Sequence, residues 1–189
     1  MSRIVPAILA KDTEDLKEKL LKLPKKISYT HIDVLEDDIW AGPPSTNFEA
    51  HLMVKDPGGI VGRWIKRGAK SIVVHKIDNN IKSLKGQVMI GLGIEMSIDL
   101  ESIKENISNI DFIHLMSIDE IGEQGHLLDE RIFDRIKEVK RKYPSLPVSV
   151  DGGININNYK KLEAVGADAL VVGSGFEELW NSLTEKSLN

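Results

Sequence analysis

Four side chains that can carry chemistry stand near the ends of short apolar runs: His31, Asp33, His51 and Asp151. Within a β-strand, side chains two positions apart share a face, so His31 and Asp33 would point away from Ile32. A histidine and a carboxylate on the inner face of a sheet are costly to bury unless they pair or bind a ligand. We therefore expect these strand ends to converge on one site.

A sheet of eight strands is predicted to position these side chains. The predicted strands are apolar runs that alternate with amphipathic helical segments, a pattern that favours a parallel sheet. They cover residues 4–9, 27–35, 48–54, 71–75, 88–94, 112–118, 148–151 and 169–172. Eight such units suggest a closed (β/α)8 TIM barrel, with its site at the carboxyl ends of the strands. A doubly wound open sheet is the alternative architecture.

Most connections between these strands carry a helical pattern, but two are short. Only about a dozen residues separate the second and third strands, and they include Gly42, Pro43 and Pro44. We expect the helix there to be short or missing, and the connection after the fourth strand is also short. No linker divides residues 1–189, which we expect to form a single barrel domain. Helices are predicted over residues 12–23, 57–68, 97–107, 129–143, 155–166 and 177–183.

Length and composition indicate an ordinary globular protein. The chain has 189 residues, of which 41% are hydrophobic and 29% charged, enough for one sizeable core. A net charge of −4 gives no hint of a nucleic-acid or membrane partner. There is no cysteine, so any metal must be bound by histidines and carboxylates. With no apolar run long enough to span a membrane and no signal-peptide pattern, we expect a cytoplasmic protein.

Six segments together resemble the ribulose-phosphate 3-epimerase family. They occur in the family's order and cover most of the chain. The resemblance implies a (β/α)8 barrel that acts as an isomerase at carbon 3 of a ketose phosphate, D-ribulose 5-phosphate. The segments are Pro6-Ala7-Ile8-Leu9, His31-Ile32-Asp33-Val34, His51-Leu52-Met53-Val54, Met116-Ser117-Ile118, Asp151-Gly152-Gly153-Ile154, and Gly166-Ala167-Asp168 followed by Gly173-Ser174.

The resemblance also implies roles for individual residues. His31, Asp33, His51 and Asp151 match positions that bind one divalent metal ion, and the two aspartates match the acid and base. Two imidazoles and two carboxylates suit zinc, iron(II), manganese or cobalt better than magnesium or calcium. The family also implies a sugar-phosphate substrate and a homo-oligomer. The positions that match its substrate and phosphate contacts are Gly152, Gly153, Gly173, Ser174, Met53 and Met116.

Epimerisation of a carbon next to a ketone requires one proton carrier on each face of that carbon. Asp33 and Asp151, from distant strands, can supply the two carboxyl groups. A carboxylate with a pKa of about 4 is a weak base for a carbon acid. A metal ion acting as a Lewis acid would stabilise the developing charge.

The sequence departs from the family pattern at several positions. Ala7 stands where the family usually has a serine that contacts substrate, and Leu35 replaces a methionine. Glu36-Asp37 replaces an Asp-Gly pair, and the loop over residues 120–125, which would help to hold phosphate, carries two glutamates. Two alternatives therefore stay open: a related epimerase acting on another ketose or ketose phosphate, and a non-catalytic barrel that binds a ligand or partner.

Three other histidines are less informative in the sequence. His75 ends the fourth predicted strand, where a substrate contact and a structural role are both open. His114 alternates with Met116 along the sixth strand, which fits an inward or a packed position, and it receives no role. His126 lies in a polar loop, where we expect it to be solvated.

Overall fold

Eight parallel strands close into a barrel in the computed structural model, which describes residues 1–118, 122 and 125–185. Each strand pairs with the next along the chain, and the eighth pairs with the first. The predicted (β/α)8 barrel is therefore confirmed, and the open sheet is wrong. The strands are β1 (Arg3–Ile8), β2 (Tyr29–Val34), β3 (Asn47–Leu52), β4 (Ser71–Val74), β5 (Met89–Ile94), β6 (Phe112–Met116), β7 (Val148–Asp151) and β8 (Ala169–Val172).

Helices cover the outside of the barrel, and their ends follow local capping chemistry. The carboxylate of Asp12 accepts a hydrogen bond of 2.8 Å from the Asp15 N–H and caps the first helix. Among the described residues, no helix is both long and apolar enough to cross a membrane. The helices are α1 (Thr13–Lys22), α2 (Pro57–Lys66), α3 (Asn79–Lys82), α4 (Ser102–Asn106, extended by a 3-10 turn over Ile107–Asn109), α5 (Ile132–Lys142), α6 (Tyr159–Ala164) and α7 (Phe176–Glu185).

Some helix bounds differ from the sequence prediction. The short connection between β4 and β5 contains the single turn α3, capped by Asp78, whose carboxylate accepts from the Ile81 N–H at 2.9 Å. Helix α4 begins later than predicted because Asp99 closes a turn ahead of it, accepting from the Glu101 N–H at 2.8 Å. Asn155 does the same ahead of α6.

The connection between β2 and β3 contains no helix, as the sequence predicts. In its place Trp40 packs on Phe48 and Trp64, with ring centroids 5.8 Å and 5.3 Å away. Asp38 accepts hydrogen bonds from Trp64 Nε1 at 2.9 Å and from Arg67 at 2.7 Å. This loop is therefore held against α2 by an aromatic cluster and the half-buried carboxylate of Asp38.

The apolar core lies between the strands and the helices. Ile32, Ile72, Ile90, Leu115 and Leu170 project outward from their strands and are at most 2% exposed. Because side chains alternate along a strand, the residues between them line the barrel interior. The core thus fixes which side chains face inward.

Two glycines on β5 make room inside the barrel. A Cβ atom at Gly91 would overlap the Phe112 ring, and one at Gly93 would lie 2.9 Å from the His75 ring. Neighbouring side chains therefore fill the space that β5 leaves empty. This packing brings His75 into the interior beside the histidines of β2 and β3.

Candidate functional site

The four residues singled out in the sequence meet at one end of the barrel interior. His31 and Asp33 lie on β2, His51 on β3 and Asp151 at the end of β7. Asp33 Oδ1 lies 3.1 Å from His31 Nε2 and 3.4 Å from His51 Nδ1. Asp151 Oδ2 lies 3.9 Å from His31 Nε2 and 3.8 Å from His51 Nδ1. The two imidazoles and the two carboxylates therefore surround one point.

A pocket opens above this point. The imidazoles of His31 and His51 are fully buried, whereas the side chains of Asp33 and Asp151 are 10% and 14% exposed and line the pocket. The carboxylates can therefore reach a small molecule, while the imidazoles lie beneath them. Ala7 also lines this pocket. All six residues matched to substrate or phosphate contacts lie in its wall: Gly152, Gly153, Gly173, Ser174, Met53 and Met116.

Glu49, which the sequence analysis missed, contacts the ring nitrogen of His31 opposite the one that faces Asp33. Its Oε1 lies 2.7 Å from His31 Nδ1, and its Oε2 accepts from the Ser71 hydroxyl at 3.1 Å. The signal was available, because Glu49 precedes His51 by two positions and therefore shares its inward face. A carboxylate on the far nitrogen of a ligating histidine is a common device that fixes the ring and its tautomer.

His31 and the carboxylates around it shift one another's pKa values. Burial lowers the pKa of His31, but hydrogen bonds with Asp33 and Glu49 outweigh burial and raise it well above its ordinary value. Burial raises the pKa of Asp33, yet hydrogen bonds with His31 and His51 leave it below its ordinary value. The pKa of Glu49 is lowered in the same way, chiefly by His31 against the effect of burial. Both carboxylates are therefore ionised at neutral pH.

His51 is oriented by His75, whose role the sequence left open. Their Nε2 atoms lie 2.9 Å apart, and His75 Nδ1 lies 3.3 Å from Glu95 Oε1. Burial lowers the pKa of both rings, that of His75 to about 3, so both are neutral. His75 Nδ1 makes no hydrogen bond to any described residue, and if His51 Nε2 donates to His75 Nε2, then His51 Nδ1 carries a lone pair. The lone pair of His51 Nδ1 then points at Asp33 and Asp151.

His114 also belongs to this cluster, although the sequence analysis assigned it no role. It lies on β6, fully buried, with Nε2 3.3 Å from Asp151 Oδ2. Its alternation with Met116 was the only sequence signal for an inward position. Among the described residues, His31, His51, His114 and Asp151 each offer one ligand atom, and these atoms lie within 4.8 Å of one another. Such nitrogen and oxygen donors fit a divalent transition metal ion.

The turn after β7 requires glycine. Gly152 and Gly153 have φ angles of 109° and 61°, and a Cβ atom at Gly153 would overlap the Leu128 backbone nitrogen. The Ser117 hydroxyl donates to the Asp151 carbonyl oxygen at 2.9 Å, which ties this turn to the end of β6. The two glutamates of the 120–125 loop lie outside the described residues, but Gly122 and Gly125 line the pocket.

Comparisons with known proteins show the family of this chain. A model of the Ribulose-phosphate 3 epimerase family matches residues 3–176. The Ribulose-phosphate 3-epimerase of Aquifex aeolicus is 30% identical over 93% of this chain and 89% of its own length. The proteins of the same name from Escherichia coli and Bacillus subtilis are 28% and 27% identical. Their alignments cover 90% and 92% of this chain, and 87% and 91% of those proteins.

Solved structures share the fold. KGPDC from Streptococcus mutans superposes with a TM-score of 0.72 at 14% identity, covering 94% of this chain and 90% of that one. A 3-hexulose-6-phosphate synthase superposes with a TM-score of 0.69 at 18% identity, covering 93% of this chain and 92% of that one. At these identities the two structures support the barrel fold alone.

Proposed function

We propose that this chain, an isomerase that belongs to the ribulose-phosphate 3-epimerase family, interconverts D-ribulose 5-phosphate and D-xylulose 5-phosphate. The proposed reaction removes the proton at carbon 3 and returns one to the opposite face, with one divalent metal ion bound. The observation that carries the proposal is the meeting of Asp33 and Asp151 with buried imidazoles beneath a pocket. Zinc, iron(II), manganese and cobalt are the candidate ions.

The proposed ligands are His31, Asp33, His51 and Asp151, and the bound ion would supply Lewis-acid stabilisation of the charge that develops on the substrate. The donor set fits such an ion because His31 Nε2 and His51 Nδ1 each lie within 3.9 Å of an oxygen of both carboxylates. Glu49 contacts His31 Nδ1 and His75 contacts His51 Nε2. These contacts, on the ring nitrogens that do not face the carboxylates, fix both rings.

Asp33 and Asp151 are proposed as the acid–base pair. Two strands, β8 and β1, lie between β7 and β2, so the carboxylates approach the pocket from different directions. The lowered pKa of Asp33 keeps it ionised and able to accept a proton. When one carboxylate takes the proton from carbon 3, the other must already carry a proton, which it returns from the opposite side.

The phosphate is proposed to bind at the loops after β7 and β8. Gly152 and Gly153 expose backbone at the pocket wall without a side chain in the way. Gly173 and Ser174 stand just before α7, whose N-terminal end favours an anion. Both loops lie beside the carboxylates, so a ketose phosphate can span from one to the other.

The test is deuterium incorporation from heavy water into D-ribulose 5-phosphate, followed by NMR, with metal content measured on the same sample. We expect label at carbon 3, formation of D-xylulose 5-phosphate and about one metal ion per chain. Asp33→Asn and Asp151→Asn should each lower the rate by about 10²-fold to 10⁴-fold. Asp134→Asn is the matched control, because the Asp134 side chain is 87% exposed on α5. Unchanged turnover in either site variant contradicts the assignment.

A second candidate is a related epimerase acting on another ketose or ketose phosphate. The specific observation in its favour is Ala7, which lines the pocket where the resembled family usually has a substrate-contacting serine. Bound metal without exchange on D-ribulose 5-phosphate, but with exchange on another ketose, would select this candidate. Neither metal nor exchange on any ketose would favour the non-catalytic barrel.

We propose one barrel domain over residues 1–189, a homo-oligomer in solution and a cytoplasmic location, with no nucleic-acid or membrane partner. Light scattering on the purified protein measures the oligomeric state directly. A monomer at all concentrations would contradict the homo-oligomer.

A further inference from the structure

We propose that His114 is an additional metal ligand in this chain, so that the centre binds its ion through three imidazoles, and that Ser149 positions the His114 ring. This proposal rests on the metal site of the proposed function but not on the identity of the sugar. It adds a nitrogen donor to the set implied by the family resemblance. A third imidazole would make the centre favour zinc and cobalt over manganese.

The His114 ring lies beside Asp151 and the other two imidazoles of the site. Its Nε2 lies 3.3 Å from Asp151 Oδ2, a separation typical of two atoms that bind the same ion about 2.0–2.2 Å away. The ring stacks on His31 with centroids 5.4 Å apart and an interplanar angle of 11°. It also meets the His51 ring edge-on at 4.9 Å. The three imidazole rings therefore lie next to one another beside Asp151 Oδ2.

Two buried polar atoms lie on the neighbouring strands β6 and β7. Among the described residues, His114 Nδ1 and Ser149 Oγ are buried, and neither has a hydrogen-bond partner. The two residues are directly paired in the register of β6 and β7, so their side chains leave adjacent strands side by side. A change of the Ser149 χ1 rotamer would turn its Oγ atom toward His114 Nδ1 and let it accept a hydrogen bond there. That bond would place the proton on Nδ1 and leave the Nε2 lone pair facing the centre.

The site carries a concentration of negative charge. The carboxylates of Asp33 and Asp151 share the site, and Glu49 lies directly beneath it. Three carboxylates that are at most 14% exposed lie near one point and are costly without cations, and a divalent ion would offset most of their charge. An added neutral imidazole strengthens binding of that ion without adding another negative charge to the site.

A competing explanation is that His114 only positions Asp151 by donating from Nε2. His114→Gln separates the two, because a glutamine amide nitrogen can replace the Nε2 donor but is a poor metal ligand. His114→Leu removes both the donor and the ligand. The two variants have similar volume and suit a buried strand position, so they form a matched pair.

The experiment measures zinc, cobalt and manganese affinity of metal-free protein by chelator competition, and the visible absorption spectrum of the cobalt form. If His114 is a ligand, both variants should lose about 10-fold to 100-fold in zinc and cobalt affinity, a smaller factor for manganese, and change the cobalt spectrum. Circular dichroism and urea unfolding check the fold. If His114→Leu fails to fold, the His114→Gln variant alone decides.

Ser149→Ala tests the positioning role. It should weaken zinc binding by about tenfold in the wild-type background and have no further effect in the His114→Gln background. A loss of the same size in both backgrounds would show that Ser149 acts without His114 and would overturn that part of the proposal.

Wild-type zinc affinity and an unchanged cobalt spectrum in His114→Gln would overturn the ligand assignment and leave His114 as a positioning residue for Asp151. A wild-type protein that binds no divalent ion would overturn both this inference and the metal requirement of the proposed function. Metal binding that depends on His114, with no isotope exchange into any ketose phosphate, would support this inference while contradicting the proposed reaction.

Discussion

Replacement of Glu49 by glutamine tests how the buried support of His31 affects metal binding. The side chain is 4% exposed, with one oxygen 2.7 Å from His31 Nδ1 and the other 3.1 Å from the Ser71 hydroxyl. Glutamine has the same shape, can keep its carbonyl oxygen on His31, and can turn its amide toward the Ser71 oxygen. Glu49→Gln therefore removes the negative charge while leaving each hydrogen bond possible.

The size of the effect follows from that charge. A contact of 2.7 Å is typical of a charge-assisted N–H···O bond. Bonds to a charged group contribute about 1.5–3 kcal/mol and neutral bonds about 0.5–1.5 kcal/mol. The difference of about 1–1.5 kcal/mol corresponds to a metal dissociation constant that is about fivefold to twelvefold larger. This loss overlaps the lower end of the range of about 10-fold to 100-fold for residues that orient metal ligands.

The assay is chelator competition with zinc on metal-free Glu49→Gln and wild-type protein, beside urea unfolding of both. Ser71→Ala is the matched control, because it removes the donor to the second carboxylate oxygen but keeps the charge next to His31. We expect about tenfold weaker binding for Glu49→Gln and less than about threefold for Ser71→Ala. Equal affinity of Glu49→Gln and wild type would refute the reasoning that the charge of Glu49 strengthens His31 as a ligand.

Four further predictions concern the packing and the protonation of the site. Trp64→Ala should lower the free energy of unfolding by about 3–5 kcal/mol, because the ring is fully buried, and a urea midpoint near wild type would contradict this. Asp38→Ala should cost about 1–3 kcal/mol in the same measurement, because Trp64 Nε1 loses its acceptor, and Asp38→Glu is the charge-matched comparison. Gly91→Ala should cost about 1–3 kcal/mol, because its Cβ would overlap the Phe112 ring, and unchanged stability would show that the ring moves freely. Metal affinity should fall as pH drops through the raised pKa of His31, because a proton must leave before that nitrogen binds metal; a titration that is flat with pH would contradict this.

Much of the site could be predicted from the sequence because it depends on strand periodicity. Alternation along the second strand placed His31 and Asp33 on one face, and the structure has both inward. The same rule could have found Glu49, two positions before His51. The short connection after β2 was also readable, because about a dozen residues with Gly42 and Pro43 leave little room for a helix.

The sequence by itself determined which side chains face inward, because strand alternation is a local property of the backbone. Only the tertiary structure decided which of them meet. His114 on β6 reaches the site because closure of the barrel brings that strand across from β2 and beside Asp151. His75 reaches His51 because Gly93 on the neighbouring strand leaves the space that its ring fills. Contacts across a closed barrel depend on strand order, stagger and the sizes of distant neighbours, and none of these is encoded within a single strand.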